Sequence, residues 1–291
     1  MSSHSAWWLA IRPATLAASA APVAVGAGVA WSAGAFSIGA ALAALLGALF
    51  LQVGANFAND VFDFERGADT ADRQGPTRVT QAGLITPAQM KRAMWLAFAA
   101  ASVAGVYLAT LAGWPVLALG LASIAAAYLY TGGPRPYGYV GLGDLAVFLF
   151  FGLGAVIGTY YVQALAVSGL AVFASIPIGA LAAAILVVNN LRDIETDARA
   201  GKRTLAVRIG EGPTRIYYLT LLLVAYVVPL ALWWRGLASA WVLLTWLSLP
   251  LALRLVVRVR RERGLALNGC LVGTARLEVL YGLLFALGLA S

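Results

Sequence analysis

Apolar residues run along this chain in blocks of about twenty, separated by short stretches of turn formers or charges. The blocks fall at about 14–33, 37–58, 90–111, 114–131, 143–163, 170–190, 214–233, 238–257 and 271–290. A helix crosses a hydrocarbon core of roughly 30 Å with ~20 predominantly apolar residues, so each block is long enough to span. The pattern predicts an all-α fold, a multi-pass membrane helix bundle of nine transmembrane helices. Residues 1–291 are then one integral-membrane domain with no sizeable soluble part.

Composition supports this. With 62% of 291 residues hydrophobic and 11% charged, the chain is too apolar for a water-soluble domain of its size. The stretch "MSSHSAWWLAIRPATLAASAAP" lacks the basic start and compact cleavage pattern of a secretory signal, so the first apolar block is expected to remain as a helix. Cys270 and His4 are the single cysteine and histidine, which leaves no intrachain disulfide and argues against a His/Cys zinc or haem site.

Charge orients the bundle. Across nine spans, 19 of the 20 basic residues fall on one face, and Arg235 stands alone on the other. Basic connectors stay inside, so that face is expected to be cytoplasmic, with the N-terminus inside and the C-terminus outside. The formal charge of +8 is then a topology signal, with an attraction to anionic lipid heads or substrates, and does not suggest nucleic acid. All twelve acidic residues are assigned to the same face, although the positive-inside rule makes no demand of Asp or Glu.

The acids cluster. The second block ends in "NFANDVFDF" and the sixth in "VVNNLRDIETDARAGKR", each with an Asn four residues before an Asp: Asn56 with Asp60, and Asn189 with Asp193. Residues four apart share a helix face, and Asp63 and Asp197 extend the two stripes. Both helices run inwards and reach the polar stripe after a similar apolar length, so the stripes are expected at one depth. Carboxylates crowded near a membrane repel one another without cations. An oxygen-only donor set suits Mg²⁺, which couples a few carboxylates to substrate phosphates. Arg78, Lys202 and Arg203 are placed to bind the remaining phosphate charge. No GxxxxGK[ST] loop is present, which argues against a nucleotide-driven pump and for a lipid diphosphate. "YTGGPRPYGYVGLGDL", residues 130–145, adds a third polar loop on that face, with Tyr130, Arg135, Tyr139 and Asp144.

These residues resemble the UbiA superfamily of intramembrane aromatic prenyltransferases, whose signature is two Asp-rich motifs at the ends of the second and sixth of nine helices. "NDVFD" followed by "RGADTADRQGPTRVTQAGLIT", with "NNLRDIETDARAGKRTLAVRIG", is most similar to the 1,4-dihydroxy-2-naphthoate polyprenyltransferase (MenA) branch. "RPATL" at 12–16 and "YTGGP" at 130–134 fit the same family, and the likeness runs from about residue 11 to 281. It implies transfer of a polyprenyl group from polyprenyl diphosphate to 1,4-dihydroxy-2-naphthoate with loss of carbon dioxide, giving demethylmenaquinone, in the bacterial cytoplasmic membrane. It also implies that Asn56, Asp60, Asp63, Asp193 and Asp197 hold two Mg²⁺ ions, the four aspartates being catalytic, with Asn189 added as a metal ligand by its place in the second stripe. Arg78, Lys202, Arg203, Arg135 and Tyr130 are implied to contact the diphosphate. Arg12 and Tyr139 are candidates for binding the acceptor. Many superfamily members carry a third acid where this chain has Gly67, which leaves the roles of Asp69 and Asp72 open.

Two alternatives follow from the same residues. Another aromatic acceptor, such as 4-hydroxybenzoate, would use the same diphosphate machinery. An ion-coupled transporter would place its acids near the bilayer midplane instead of at one face.

Overall fold

The computed structural model describes residues 3–68, 75 and 78–291, and contains no strand among them. Asp69, Asp72 and Arg73 lie outside the described residues. The helices are α1 (Ser3–Ile11), α2 (Pro13–Ser32), α3 (Ile38–Glu65), α4 (Pro87–Ala112), α5 (Trp114–Leu129) and α6 (Gly143–Val147). A π-helical segment, Phe148–Gly154, joins α6 to α7 (Ala155–Ala164). Then come α8 (Gly169–Arg192), α9 (Ile194–Arg199), α10 (Leu205–Ile209), α11 (Glu211–Trp234), α12 (Leu249–Arg261) and α13 (Leu267–Ala290). Short 3-10 helices cover Tyr137–Val140, Ala240–Ser248 and Gly264–Ala266.

All nine apolar blocks are helical. By length and composition, 7 helical stretches are able to cross a membrane, while Ala18–Ser32 and Trp114–Leu129 are shorter apolar helices. Their starts follow local chemistry. Thr86 caps α4 with Gln89 in a reciprocal capping box, and Ser37 and Ser168 accept backbone N–H groups at the starts of α3 and α8.

Helix α8 is the centre of the bundle and its most buried long helix. It packs against α2, α11, α13 and the π-helical segment. That last contact needs glycine on both sides: a Cβ on Gly152 would lie 2.5 Å from the Gly179 Cα, so the two backbones approach as closely as small residues allow. A second core gathers Phe57, Val61, Val79, Met90, Met94 and Phe98 where α3 packs on α4.

Side-chain bonds show which ends share an edge. The Asn56 amide donates to the Ile11 carbonyl at 2.9 Å, and Arg192 donates to Asn268 Oδ1 at 2.9 Å. The α1–α2 junction, the ends of α3 and α8 and the start of α13 therefore meet at one polar edge. At the other edge the Ser37 N–H donates to Gln163 and Ser239 donates to the Gly288 carbonyl. Ile11 thus lies at the polar edge and Gly288 at the other.

Two expectations need correction. Glu278 is not an edge residue: it lies 0% exposed within α13, about 17 Å along the helix from Leu267. The second acidic stripe is not one straight helix either. Asp193, at φ −95° and ψ 9°, bends the chain between α8 and α9, although the Asp197 N–H still reaches the Asp193 carbonyl at 2.8 Å.

Candidate active site

The first motif rides on α3, which continues through Glu65 and so presents Asn56, Asp60 and Asp63 from one helix. Gly67 ends it. At φ +68° this residue is left-handed, and the Ala68 N–H returns to the Asp63 carbonyl while the Gly67 N–H returns to Phe64. That closure, a Schellman motif, favours glycine over a side chain at this position.

The three polar residues of α3 have different surroundings. The Asn56 amide nitrogen donates to the Ile11 carbonyl and to Thr15 Oγ1, both at 2.9 Å, and its oxygen accepts from Gln52. It thereby clamps the junction where Arg12 adopts φ 55°, a left-handed conformation that is strained for arginine. Asp60 is 1% exposed and accepts the backbone N–H groups of Val79 at 3.3 Å and Thr80 at 3.0 Å. Its carboxylate fixes the loop that carries Arg78. Asp63 is a hub: Arg78 Nη2 at 2.9 Å, Lys202 Nζ at 3.1 Å and the Tyr139 hydroxyl at 2.6 Å all donate to it.

The second motif is organised by Arg192, which the sequence pattern did not single out. Its guanidinium is buried, grips Asp193 through Nε at 2.8 Å and Nη2 at 2.5 Å, and reaches Asn189 Oδ1 and Asn268 Oδ1 at 2.9 Å each. A bidentate fork of this kind suits arginine rather than lysine. An Arg adjoining the motif's Asp was the available signal; its partner Asn268, 76 residues away in sequence, had none.

The third loop closes over both motifs. Arg66 donates to the Thr131 and Gly133 carbonyls and lies over the Tyr139 ring, and Thr131 donates to Asn59 at 3.0 Å. Lys202 sits 4.7 Å from the centroid of the same ring, and the Arg203 N–H donates to the Tyr139 carbonyl at 2.8 Å. Burial, then the carboxylate of Asp144, raises the Tyr130 phenol above its ordinary range, and burial pushes Tyr137 up to about 12. Both phenols stay protonated near neutral pH and can donate hydrogen bonds.

A cavity of about 1050 Å³ opens inside these groups. Arg12, Asn56, Asp63, Arg78, Tyr130, Tyr139, Asn189, Asp193, Asp197 and Lys202 line its polar end. Leu51, Leu119, Phe150, Phe151 and Ile157 line the rest, with Gly105 and Gly120 facing open space. Asp60 stands behind the wall, and Arg135 and Arg203 are exposed outside the cavity. Glu278 is in the wall, its two oxygens without a hydrogen-bond partner among the described residues. No three His, Cys, Asp or Glu side chains among the described residues form a metal-holding group by themselves.

Comparison with known proteins gives one consistent result. Residues 19–268 match the UbiA prenyltransferase family. The 1,4-dihydroxy-2-naphthoate octaprenyltransferase of Mycobacterium tuberculosis is 46% identical over 264 residues, covering 91% of this chain and 89% of the relative. The enzyme of the same name from Escherichia coli is 39% identical, covering 99% and 96%. In fold, the chain is similar to a UbiA homolog from Archaeoglobus fulgidus bound to GPP and Mg²⁺, with a TM-score of 0.69 at 17% identity over 96% of this chain and 99% of the other.

Removing the Arg192 guanidinium should strand Asp193 without its buried partner. Loss of one member of a buried pair typically costs ~3–5 kcal/mol, so Arg192→Ala should lower the Tm of detergent-solubilised protein by several degrees and abolish turnover. An unchanged Tm would show that Asp193 is stabilised by other means.

Proposed function

We propose a reaction for this chain from one premise: it belongs to the UbiA prenyltransferase family. It is a multi-pass membrane enzyme that transfers a polyprenyl group from a polyprenyl diphosphate to 1,4-dihydroxy-2-naphthoate in menaquinone biosynthesis. The observation that carries this function onto the site is the junction at Asp63, where two cations and a phenol converge at the polar end of a long apolar cavity.

The site fits Mg²⁺ by its chemistry. Its donors are carboxylate and amide oxygens, and an ion that usually takes one or two carboxylates plus substrate phosphates does not need three acids already clustered. Asp63, Asp193 and Asp197, with Asn189, are the residues that would hold one or two ions. When bound, Mg²⁺ supplies neutralisation of the charge that builds on the departing diphosphate.

The chain's own groups do the remainder. Arg78 and Lys202 meet the diphosphate as charge-assisted donors, and the Tyr139 and Tyr130 hydroxyls add neutral ones. These contacts strengthen as the allylic C–O bond breaks and its electron pair leaves with diphosphate. The isoprenoid lies along the apolar cavity, where aromatic walls at Phe150 and Phe151 keep water from the carbocation. Arg12 orients the naphthoate through its carboxylate. The electron-rich ring carbon bearing that carboxylate forms the new C–C bond, and the carboxylate leaves as carbon dioxide, returning its bonding pair to the ring.

Asp60 acts at one remove, by holding Val79 and Thr80 and hence the loop of Arg78. Arg135 and Arg203 serve the loop and the membrane edge. The basic edge faces the cytoplasm, with the amino terminus inside and the carboxyl terminus outside.

The function is tested by incubating purified protein with Mg²⁺, a polyprenyl diphosphate and 1,4-dihydroxy-2-naphthoate, and measuring carbon dioxide and the prenylated quinol; prenylation of 4-hydroxybenzoate alone would overturn the acceptor. Asp63→Asn should cut kcat roughly a hundredfold or more, since it removes a group that acts in the transition state. Asp60→Asn should instead raise KM for the prenyl donor more than it lowers kcat; a pure kcat loss would make Asp60 a metal ligand. Gly120→Leu fills open cavity, so kcat/KM for an eight-isoprene donor should fall roughly tenfold while that for a two-isoprene donor holds. Equal losses for both would place the chain elsewhere. On a Cys270→Ser background, cysteine at position 290 should react with an impermeant reagent in intact cells and cysteine at position 3 should not; the reverse would invert the topology.

A further inference from the structure

Beside the active cavity, with which it shares Val272, a groove of about 700 Å³ runs between α12 and α13. On α12 it is lined by Leu251, Arg254, Leu255 and Arg258, and on α13 by Asn268, Gly269, Val272, Gly273 and Arg276. Each set falls on one helix face, and the two helices run antiparallel through the turn at Gly264–Ala266. Glycine gives the groove its depth. A Cβ on Gly269 would lie 2.6 Å from Arg258 Nη2, and one on Gly273 would lie 2.6 Å from Leu255 Cδ2.

Reading inward from the polar edge, Arg258 lies over Gly269, Leu255 over Gly273, and Arg254 and Arg276 stand deeper still. Arg254 is seven residues from the end of α12 and Arg276 nine from the start of α13, about 10 Å and about 14 Å along their helices. Both are exposed. The local carboxylates are already engaged. Glu262 accepts from Arg258 at 2.7 and 3.2 Å and from Cys270, and Glu211 accepts from Arg215 and Arg263. Neither Arg254 nor Arg276 has a carboxylate within ion-pair distance among the described residues. Two arginines facing one groove inside apolar spans repel each other and call for an anion.

We propose that this groove binds the head group of an anionic phospholipid, its phosphate held by Arg254 and Arg276 and its acyl chains resting on Leu251 and Val272. Three features select a membrane lipid over a soluble anion. The arginines lie within apolar spans, both are exposed, and Leu251, Leu255 and Val272 line the groove beside them where a phosphate's chains must go. The site is also coupled to the active site by contact. Asn268 lines the groove and accepts from Arg192, the arginine that grips Asp193, so a bound lipid abuts the support of the second acidic motif.

The test is native mass spectrometry of the full chain released from detergent with phosphatidylglycerol or phosphatidylcholine of identical acyl chains. Wild type should retain phosphatidylglycerol over phosphatidylcholine by roughly tenfold or more, and Arg254→Gln/Arg276→Gln should lose that preference. Arg254→Lys/Arg276→Lys, which keeps both charges, should retain most of it. If the double glutamine variant does not fold, Arg276→Gln alone is measured, and a several-fold loss is expected. Retention equal to wild type in whichever glutamine variant is measured would overturn the proposal. Displacement of the lipid by millimolar inorganic phosphate or by geranylgeranyl diphosphate would also overturn it, assigning the groove to a soluble anion or to the substrate.

Discussion

A carboxylate taken out of water beside a membrane must find a cation or a set of N–H donors, and three aspartates of the polar edge answer that demand. Asp63 finds Arg78, Lys202 and Tyr139; Asp60 finds two backbone amides; Asp193 finds Arg192. Each solution ties together segments far apart in the chain. Asp63 joins α3 to the loop after α5 and to the segment after α9, so meeting its charge also assembles the mouth of the cavity. The same groups that neutralise the acid are then close to any diphosphate that enters.

The two acidic motifs look alike in sequence and are built differently. In the first, one continuous helix carries Asn56, Asp60 and Asp63, but only Asp63 presents its carboxylate at the cavity. Asn56 and Asp60 are spent on holding α1–α2 and the Arg78 loop. In the second, the helix bends at Asp193, and Arg192 folds back to hold both Asn189 and Asp193. Equal spacing along a helix fixes which residues share a face. It does not fix which of them face the ligand, because that depends on what packs behind them.

Below the polar edge, the cavity exists because small residues leave it room. Gly105 and Gly120 face open space, whereas Gly152 and Gly179 are pressed together where the π-helical segment crosses α8. Glycine thus makes space in one place and removes it in another. Glu278 is the cavity's unusual wall residue, a carboxyl about halfway along α13 with no hydrogen-bond partner among the described residues. A group of that kind is costly to bury.

Much of this protein is legible in its sequence. Twenty-residue apolar blocks can only be helices in a bilayer, because a backbone without water must satisfy its own hydrogen bonds, so the all-α bundle and its elements follow from hydropathy alone. Paired Asn and Asp at i, i+4 and the "NDVFD" and "RDIETD" stretches located the polar edge and its metal-compatible chemistry, since helical periodicity is a local property. What folding alone decided is which distant groups meet. Lys202 and Tyr139 on Asp63, Asn268 on Arg192, and Asp60 on the Val79 and Thr80 amides are contacts across 139, 76, 76, 19 and 20 residues, and no local pattern encodes them. Arg203 ranked in sequence with Arg78 and Lys202 as a diphosphate candidate, and Arg135 was implied by family likeness alone. Only the packing of the loops turned Arg78 and Lys202 into the cavity and Arg135 and Arg203 out of it. Charge can be read from a residue's identity, but direction is set by the neighbours that exclude it from everywhere else.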